Sequence, residues 1–319
     1  GISVTDFNKD GQFEFIVTGF RYPNLALSYK KGYLENLINE EVFSDNIRST
    51  IGVAACDIDN DGFEELYFLN TDTYSGRKQY SDRLLDSQTK IIDLFEIEKN
   101  LKSLNLTAGR SVVCVDRNGV GTYGFYVANY GGPTRFYELI KNQIIDKAPM
   151  LNIDKITGGR AVVSGHILGN QMDIFAANER GPNFLYFNED GKFKDFAEKL
   201  GVEDVFENGR GTTLTDFLYR GELDIVTGNW EGEHRIFLKG DKKEIKNLTN
   251  ELKLKKEKAQ PSRIKTSGST FKNPDEKTSS LKAWELIQKS DCHKIKLDGV
   301  SFSKKRSANK GSLLSFSLI

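Results

Sequence analysis

No stretch of this 319-residue chain approaches the roughly 20 apolar residues that carry a helix across a bilayer, so no membrane span is expected. Net charge is also missing. Lys+Arg and Asp+Glu balance at 45 each, and no field of one sign points to nucleic acid. Cysteine is scarce: Cys56, Cys114 and Cys292 are too few for a disulfide framework. Cys56 lies one residue before Asp57 and Cys114 two before Asp116, so the two should face opposite sides of their strands, as small buried side chains without a bridge. The chain opens at Gly1 inside a strand-like run (Ile2, Val4) with no initiating Met, and reads as a fragment whose start lies elsewhere.

What the chain does have is glycine (29 residues), 11% aromatics and 38% apolar residues, a composition suited to short strands and turns. Those strands repeat. Apolar runs Ile2–Thr5, Ile51–Cys56, Arg110–Val115, Arg160–Gly165 and Gly211–Thr215 each lead into a loop opened by Asp6, Asp57, Asp116, Gly165-His166 or Asp216. Gly109-Arg110, Gly159-Arg160 and Gly209-Arg210 keep the same beat, as do Asn129-Tyr-Gly-Gly-Pro133, Asn178-Glu-Arg-Gly-Pro182 and Asn229-Trp-Glu-Gly-Glu233. A second strand follows each loop (Phe13–Phe20, Glu65–Asn70, Tyr123–Asn129, Asp173–Asn178, Asp224–Asn229), and room remains for two more. Four antiparallel strands in about 50 residues is the period of a propeller blade. The sequence therefore predicts an all-β fold, a β-propeller of about five four-stranded blades over 1–250. A Lys-rich stretch (251–259), read as a linker or a frayed helix, and a small α+β tail (260–319) follow, the tail with a helix-like pattern over Leu281–Ser290.

Two of the loops carry chemistry. Unit one reads Asp6-Phe-Asn8-Lys-Asp10-Gly11-Gln12-Phe-Glu14 and unit two Asp57-Ile-Asp59-Asn-Asp61-Gly62-Phe63-Glu-Glu65. Oxygens at positions 1, 3 and 5, a backbone carbonyl at 7 and an acid at 9 suit a hard cation with six or more oxygen ligands. Calcium fits better than magnesium, whose small octahedral shell matches a flexible all-protein cage poorly. The expected ligands are Asp6, Asn8, Asp10, Gln12 and Glu14 at one site, and Asp57, Asp59, Asp61, Phe63 and Glu65 at the other, with Gln12 and Phe63 acting through their carbonyls. An EF-hand is excluded, because strands flank the loop and its position 12 is Phe68. The other three loops have lost ligands: Val120 stands at position 5 of unit three, and unit four keeps only Asp173. In unit five Leu218 and Arg220 replace acids, and the Arg220 guanidinium is expected to bridge Asp216 and Asp224 in place of an ion. His166 and His234 are isolated and are not expected to be ligands. The Gly-Arg arginines either line one end of the axial channel or pair with carboxylates between blades.

These loops, the Gly-Arg openings and Asn178–Phe187 resemble the FG-GAP/VCBS repeats of integrin-α-like propellers, and within that group the cartilage acidic protein family, over about residues 1–240. The resemblance implies a secreted or cell-surface, calcium-binding, seven-bladed propeller acting in adhesion or matrix binding on an extracellular protein or glycan; this chain shows five blades. The tail differs. Ser267-Gly-Ser269-Thr-Phe-Lys-Asn273-Pro274 resembles the C-terminal domain of the UDP-N-acetylenolpyruvoylglucosamine reductase family over about 258–309. That likeness implies Ser269 as a proton donor and Asn273 as a substrate contact. The next family motif is altered to Ser303-Lys-Lys-Arg-Ser-Ala-Asn309, and no flavin-binding domain is present, so FAD is not expected and the tail reads as a relic, a gene-boundary join or a reading-frame slip, expected to be inactive. A non-catalytic calcium-dependent binding module is the expected function, with a reductase fragment and a purely structural fragment as alternatives.

Overall fold

The computed structural model describes residues 1–259 continuously and, beyond them, 266–269, 274, 279–291, 296–297, 300–302 and 315–318. The chain divides into two compact units, Gly1–Lys239 and Gly240–Ile319. The first is mostly β, a series of antiparallel meanders with short helical turns at Glu41–Ser44, Leu94–Glu96, Glu98–Ser103 and Ala197–Leu200 between strands. Blade one holds β1 (Ile2–Thr5), β2 (Glu14–Val17), β3 (Leu25–Lys30) and β4 (Tyr33–Asn36). Blade two holds β5 (Thr50–Cys56), β6 (Glu65–Asn70), β7 (Arg83–Asp86) and β8 (Ile92–Asp93). Blade three holds β9 (Gly109–Val115), β10 (Gly124–Pro133), β11 (Arg135–Ile140) and β12 (Gln143–Asp146). Blade four holds β13 (Ile156–Gly165), β14 (Asp173–Asn178), β15 (Phe184–Glu189) and β16 (Lys192–Asp195). Blade five has three strands, β17 (Gly209–Thr215), β18 (Asp224–Asn229) and β19 (Arg235–Phe237), and not the expected four. After Phe237 the Lys- and Glu-rich sequence cannot supply another apolar edge and forms a helix, Lys242–Ala259. The unit therefore ends at Lys239, short of residue 250, and the Lys-rich stretch is helical, the second of the two readings expected for it.

The first strands pack side by side in order, β1 by β5, β5 by β9, β9 by β13 and β13 by β17, while no comparable packing links β17 back to β1 among the described residues. The second strands explain why so many residues are buried on both faces. Along β6, Tyr67 and Leu69 enter the layer shared with blade three, where they meet Phe125, Val127 and Tyr137. Leu66 and Phe68 enter the layer shared with blade one, against Ile16, Ala26 and Phe43. This is strand alternation with apolar residues on both sides. The same rule places Tyr126 and Ala128 with Ile174 and Tyr186, and Phe175 and Ala177 with Ile225. The core is thus four inter-blade layers.

Two repeated marks acquire physical reasons here. Asn129 Nδ2 donates to Pro133 O at 2.7 Å, Asn178 Nδ2 to Pro182 O at 2.6 Å and Asn229 Nδ2 to Glu233 O at 2.7 Å, clasping the turn after each second strand. The glycine of each Gly-Arg opening sits where blades touch: a Cβ on Gly109 would lie 2.3 Å from Leu69 Cδ1, and one on Gly159 2.7 Å from Asn129 O.

Cys56 and Cys114 are joined in a disulfide, which corrects the expectation of free side chains. The premise that they face opposite sides of their strands was sound but led the wrong way. On adjacent blades, one side chain pointing forward and one pointing back meet in the shared layer, and their Cα atoms lie 6.2 Å apart.

In the second unit the described strands Thr266–Ser269, Ser315–Leu318, Val300–Phe302 and Lys296–Leu297 form one antiparallel sheet in that order. A helix at Ala283–Lys289 falls within the expected Leu281–Ser290 pattern, and the tail is α+β as expected.

Candidate metal centre

The loop of blade two starts where β5 ends and returns the chain into β6. Gly62 at position 6 has φ +87°, a left-handed conformation that glycine adopts without strain, and Gly11 of blade one has φ +85°. Position 4 is left-handed as well, at Asn60 and Lys9. This bend turns backbone amides inward onto the side chains of the odd positions. Asp57 Oδ1 accepts from Asn60 N at 2.6 Å and its Oδ2 from Gly62 N at 2.9 Å; Asp59 Oδ1 accepts from Asp61 N at 3.1 Å, and Asp61 Oδ1 from Phe63 N at 2.7 Å. Glu65, the first residue of β6, is buried, and its Oε2 accepts from Ile58 N at 2.8 Å.

Each acid is thereby fixed through one oxygen, or two for Asp57, and the three loop carboxylates converge. Ligand atoms of Asp57, Asp59 and Asp61 lie within 4.8 Å of one another, a grouping able to hold a metal ion. Glu65 Oε1 is buried without a hydrogen-bond partner. Such an oxygen costs about 1–3 kcal/mol if nothing approaches it. Burial, and then the charges of Asp59, Asp86 and Asp61, push the Glu65 carboxyl up to about 8. Burial, then Asp61, Asp57 and Asp86, raises Asp59 in the same direction. The donor set is all oxygen, mostly anionic and missing one positive partner, which is the requirement of a hard divalent cation.

Blade one repeats this frame atom for atom at most positions. Gly11 N donates to Asp6 Oδ2 at 3.0 Å, Asp10 N to Asn8 Oδ1 at 3.0 Å, Gln12 N to Asp10 Oδ1 at 2.9 Å and Phe7 N to Glu14 Oε2 at 3.1 Å. Asp6 Oδ1 and Glu14 Oε1 are buried and unpartnered. Burial, with Asp10 and Asp6 adding to it, raises the Glu14 carboxyl. One difference weakens the site: the Asn8 amide donates to Asp10 Oδ2 at 3.2 Å and so occupies an oxygen that blade two leaves open.

Asp86, at the end of β7, was not foreseen. It acts on both Asp59 and Glu65, yet it lies on another strand, outside any motif, and only the fold brings it near. In blade five, Arg220 Nη2 reaches Asp224 Oδ1 at 3.1 Å, while Asp216 accepts from the Arg220 backbone amide at 2.8 Å; the expected bridge is made half by guanidinium and half by main chain. His234 Nδ1 accepts from Asn229 N at 3.1 Å, a structural role, and His166 is exposed. Ser269 is the last residue of its strand, and Asn273 lies outside the described residues.

Comparison with known proteins agrees with this geometry. Residues 6–68, which contain both complete loops, match the FG-GAP-like repeat family. The chain is 45% identical over 265 residues to cartilage acidic protein 1 of Xenopus tropicalis, covering 75% of this chain and 41% of that protein. It spans about two fifths of the length of that relative. It is also 37% identical over 127 residues to UDP-N-acetylenolpyruvoylglucosamine reductase of Pelagibacter ubique, covering 37% of this chain and 38% of the reductase, a longer likeness than the stretch 258–309. Among solved structures, the V. cholerae biofilm matrix protein Bap1 covers 71% of the chain at 16% identity with a TM-score of 0.39. The chain thus carries an FG-GAP-like repeat region similar to cartilage acidic protein 1, together with a partial similarity to the reductase.

Proposed function

We propose that residues 1–239 are a non-catalytic, calcium-stabilised binding module that works outside the cell. The carrying observation is the buried, unpartnered Glu65 Oε1 beside the converging Asp57, Asp59 and Asp61. Asp57, Asp59, Asp61, the Phe63 carbonyl and Glu65 would hold the ion, and Asp6, Asn8, Asp10, the Gln12 carbonyl and Glu14 a second, weaker one. The ion supplies the positive charge that lets these carboxylates stay ionised at the hinge between the first two strands of each blade. A structural role fits a loop whose ligands come from one short segment, with no nucleophile or base beside it. The Cys56–Cys114 disulfide favours an oxidising compartment, as does the similarity to cartilage acidic protein 1. An extracellular protein or glycan is the partner class. The reductase-like part is not assigned an activity, since the family's chemistry needs a flavin domain.

Thermal melting of the whole chain tests the calcium reading. At calcium a hundredfold above its dissociation constant, stability should rise by about 2.7 kcal/mol relative to chelator. A melting temperature indifferent to calcium and chelator would remove the assignment.

A further inference from the structure

Away from the calcium loops, the other end of the first strands gathers a second set of charged groups. In blades three, four and five the pairing of first and second strand shifts register at one place: between Gly109 and Ser111, Gly159 and Ala161, and Gly209 and Gly211. The residue skipped is Arg110, Arg160 or Arg210. A bulge leaves its residue outside the ladder and re-aims its side chain. The three bulges therefore turn three arginines of successive blades to the same side.

The residues opposite include those that follow the clasping asparagines, Tyr130, Glu179 and Trp230, with Thr71 and Tyr74 from blade two. The Arg160 guanidinium carbon lies 4.6 Å from the Tyr130 ring centre and 5.3 Å from that of Tyr74. Arg110 lies 5.5 Å from both rings, and Arg210 4.3 Å from Trp230. One acid serves the group. Glu179 is ion-paired to Arg160, lies 3.3 Å from Arg210, and accepts from the hydroxyls of Tyr74 at 3.1 Å and Tyr130 at 3.3 Å. Although burial works the other way, these partners hold its carboxyl below the usual range. The glutamate is 2% exposed, so its charge is spent inside the cluster.

Three guanidiniums, which stay protonated at any physiological pH, thus face one carboxylate, leaving an excess of two positive charges. Arg110 feels Glu179 only at a distance and makes no direct ion pair among the described residues. It donates to Tyr74 O, Gly109 O and Thr71 Oγ1, and its Nε is buried without a partner. The cluster opens to solvent at Arg210, whose side chain is 35% exposed, and at the rings of Tyr74 (59%) and Trp230 (55%); the Arg160 side chain, 8% exposed, lies beneath them and adds its charge. Guanidinium forks match the planar oxygens of a carboxylate or the oxygens of a sulfate. Exposed rings beside them offer flat apolar faces for a pyranose ring.

We propose that Arg110, Arg160, Arg210, Tyr74 and Trp230 form a binding site for an anionic glycan, taking a sulfate or uronate carboxylate on the arginines and the sugar face on the rings. This rests on the reading of the chain as an extracellular binding module. A short acidic peptide shares the charge but has no ring to lay on Trp230 and Tyr74, so the glycan is the ligand the rings favour.

Calorimetric titration of the whole chain in calcium tests it, using a sulfated heparin hexasaccharide, an oligogalacturonate of equal length, maltohexaose and hexa-aspartate. One or both anionic saccharides should bind, and which one does names the anion; maltohexaose should not bind. Arg210→Gln should weaken binding about tenfold, the loss of one charged contact of about 1.4 kcal/mol. Trp230→Ala should weaken it several-fold and serves if the first variant fails to fold. Glu179→Gln should tighten it, which a purely structural cluster would not do. Failure of both anionic saccharides to bind, equal affinity in the Arg210 and Trp230 variants, or hexa-aspartate binding as tightly as the saccharides would each overturn the proposal. If calcium still raises the melting temperature while no saccharide binds, the glycan site alone falls. Saccharide binding with a calcium-indifferent melt would remove the calcium reading alone.

Discussion

The loops of blades one and two differ from those of blades three to five in how they treat one acid, and the difference separates what the fold needs from what an ion supplies. Four of the five loops share a frame. The amide at position 6 donates to the position-1 aspartate in Asp6, Asp57, Asp116 and Asp216, at 3.0, 2.9, 2.7 and 2.7 Å. Position 4 is left-handed in all four, even where it is Tyr219. Where an acid opens the second strand, one of its oxygens accepts from a main-chain amide of its loop: Glu14 from Phe7 N, Glu65 from Ile58 N and Asp224 from Phe217 N at position 2, and Asp173 from Leu168 N two residues further on. The other oxygen decides. In Glu14 and Glu65 it has no partner. In Asp173 it accepts from Asn188 N at 2.8 Å, and in Asp224 from Lys239 N and Arg220. Blade three has Gly124 at this place, where a Cβ would lie 2.9 Å from Phe136 Cζ. The turn therefore outlives its ligands, and on the proposed reading an ion would be called for only where the chain brings no donor of its own.

Breaking a self-satisfied loop should have the largest effect. Asp173→Asn keeps the shape but turns an amide group against one of two buried main-chain donors. A loss of about 2–4 kcal/mol is expected, equal in calcium and in chelator, by denaturant titration. Rescue by calcium would mean that blade four is an ion site after all. Arg220→Gln comes next, at about 1–3 kcal/mol, because Asp224 is wholly buried but keeps two amides. It should gain no calcium response, since Leu218 and a glutamine would stand at positions 3 and 5. A calcium-induced rise larger in this variant than in the parent would show that two aspartates suffice.

Much of this was legible in sequence because it is local. The strand–loop–strand units depend on spacing within about ten residues, and the structure places each loop between its two expected strands, with strand ends within about four residues of the expected bounds. What escaped depends on faces and neighbours. The Cys56–Cys114 bridge joins two blades, and the opposite facing that argued against it is the geometry that makes it. Asp86 enters the acidic cluster from β7 without a motif. The fourth strand of blade five was expected from the period alone, where local composition favoured a helix from Lys242. The bulges that re-aim the arginines show no composition signal beyond the Gly-Arg pairs themselves.

Glu65→Gln has the smallest expected effect in chelator and tests the comparison most directly. The amide oxygen can still accept from Ile58 N, and its NH₂ then points where an ion would sit, toward Asp57, Asp59 and Asp61. In chelator the variant removes a buried carboxyl crowded by Asp59, Asp86 and Asp61 and replaces it with a neutral donor. Its melting temperature should match the parent or exceed it slightly, within about 0.5 kcal/mol, as for a substitution that leaves no group unsatisfied. In calcium the order reverses, because the parent gains stability from the ion and the variant has exchanged a ligand for a hydrogen-bond donor. Paired melts of Glu65→Gln and Asp173→Asn, each in calcium and in chelator, should give one variant whose defect appears only with calcium and one whose defect never changes. If Glu65→Gln loses as much in chelator as Asp173→Asn, the Glu65 carboxylate holds the turn by itself, and the distinction between the two kinds of loop disappears.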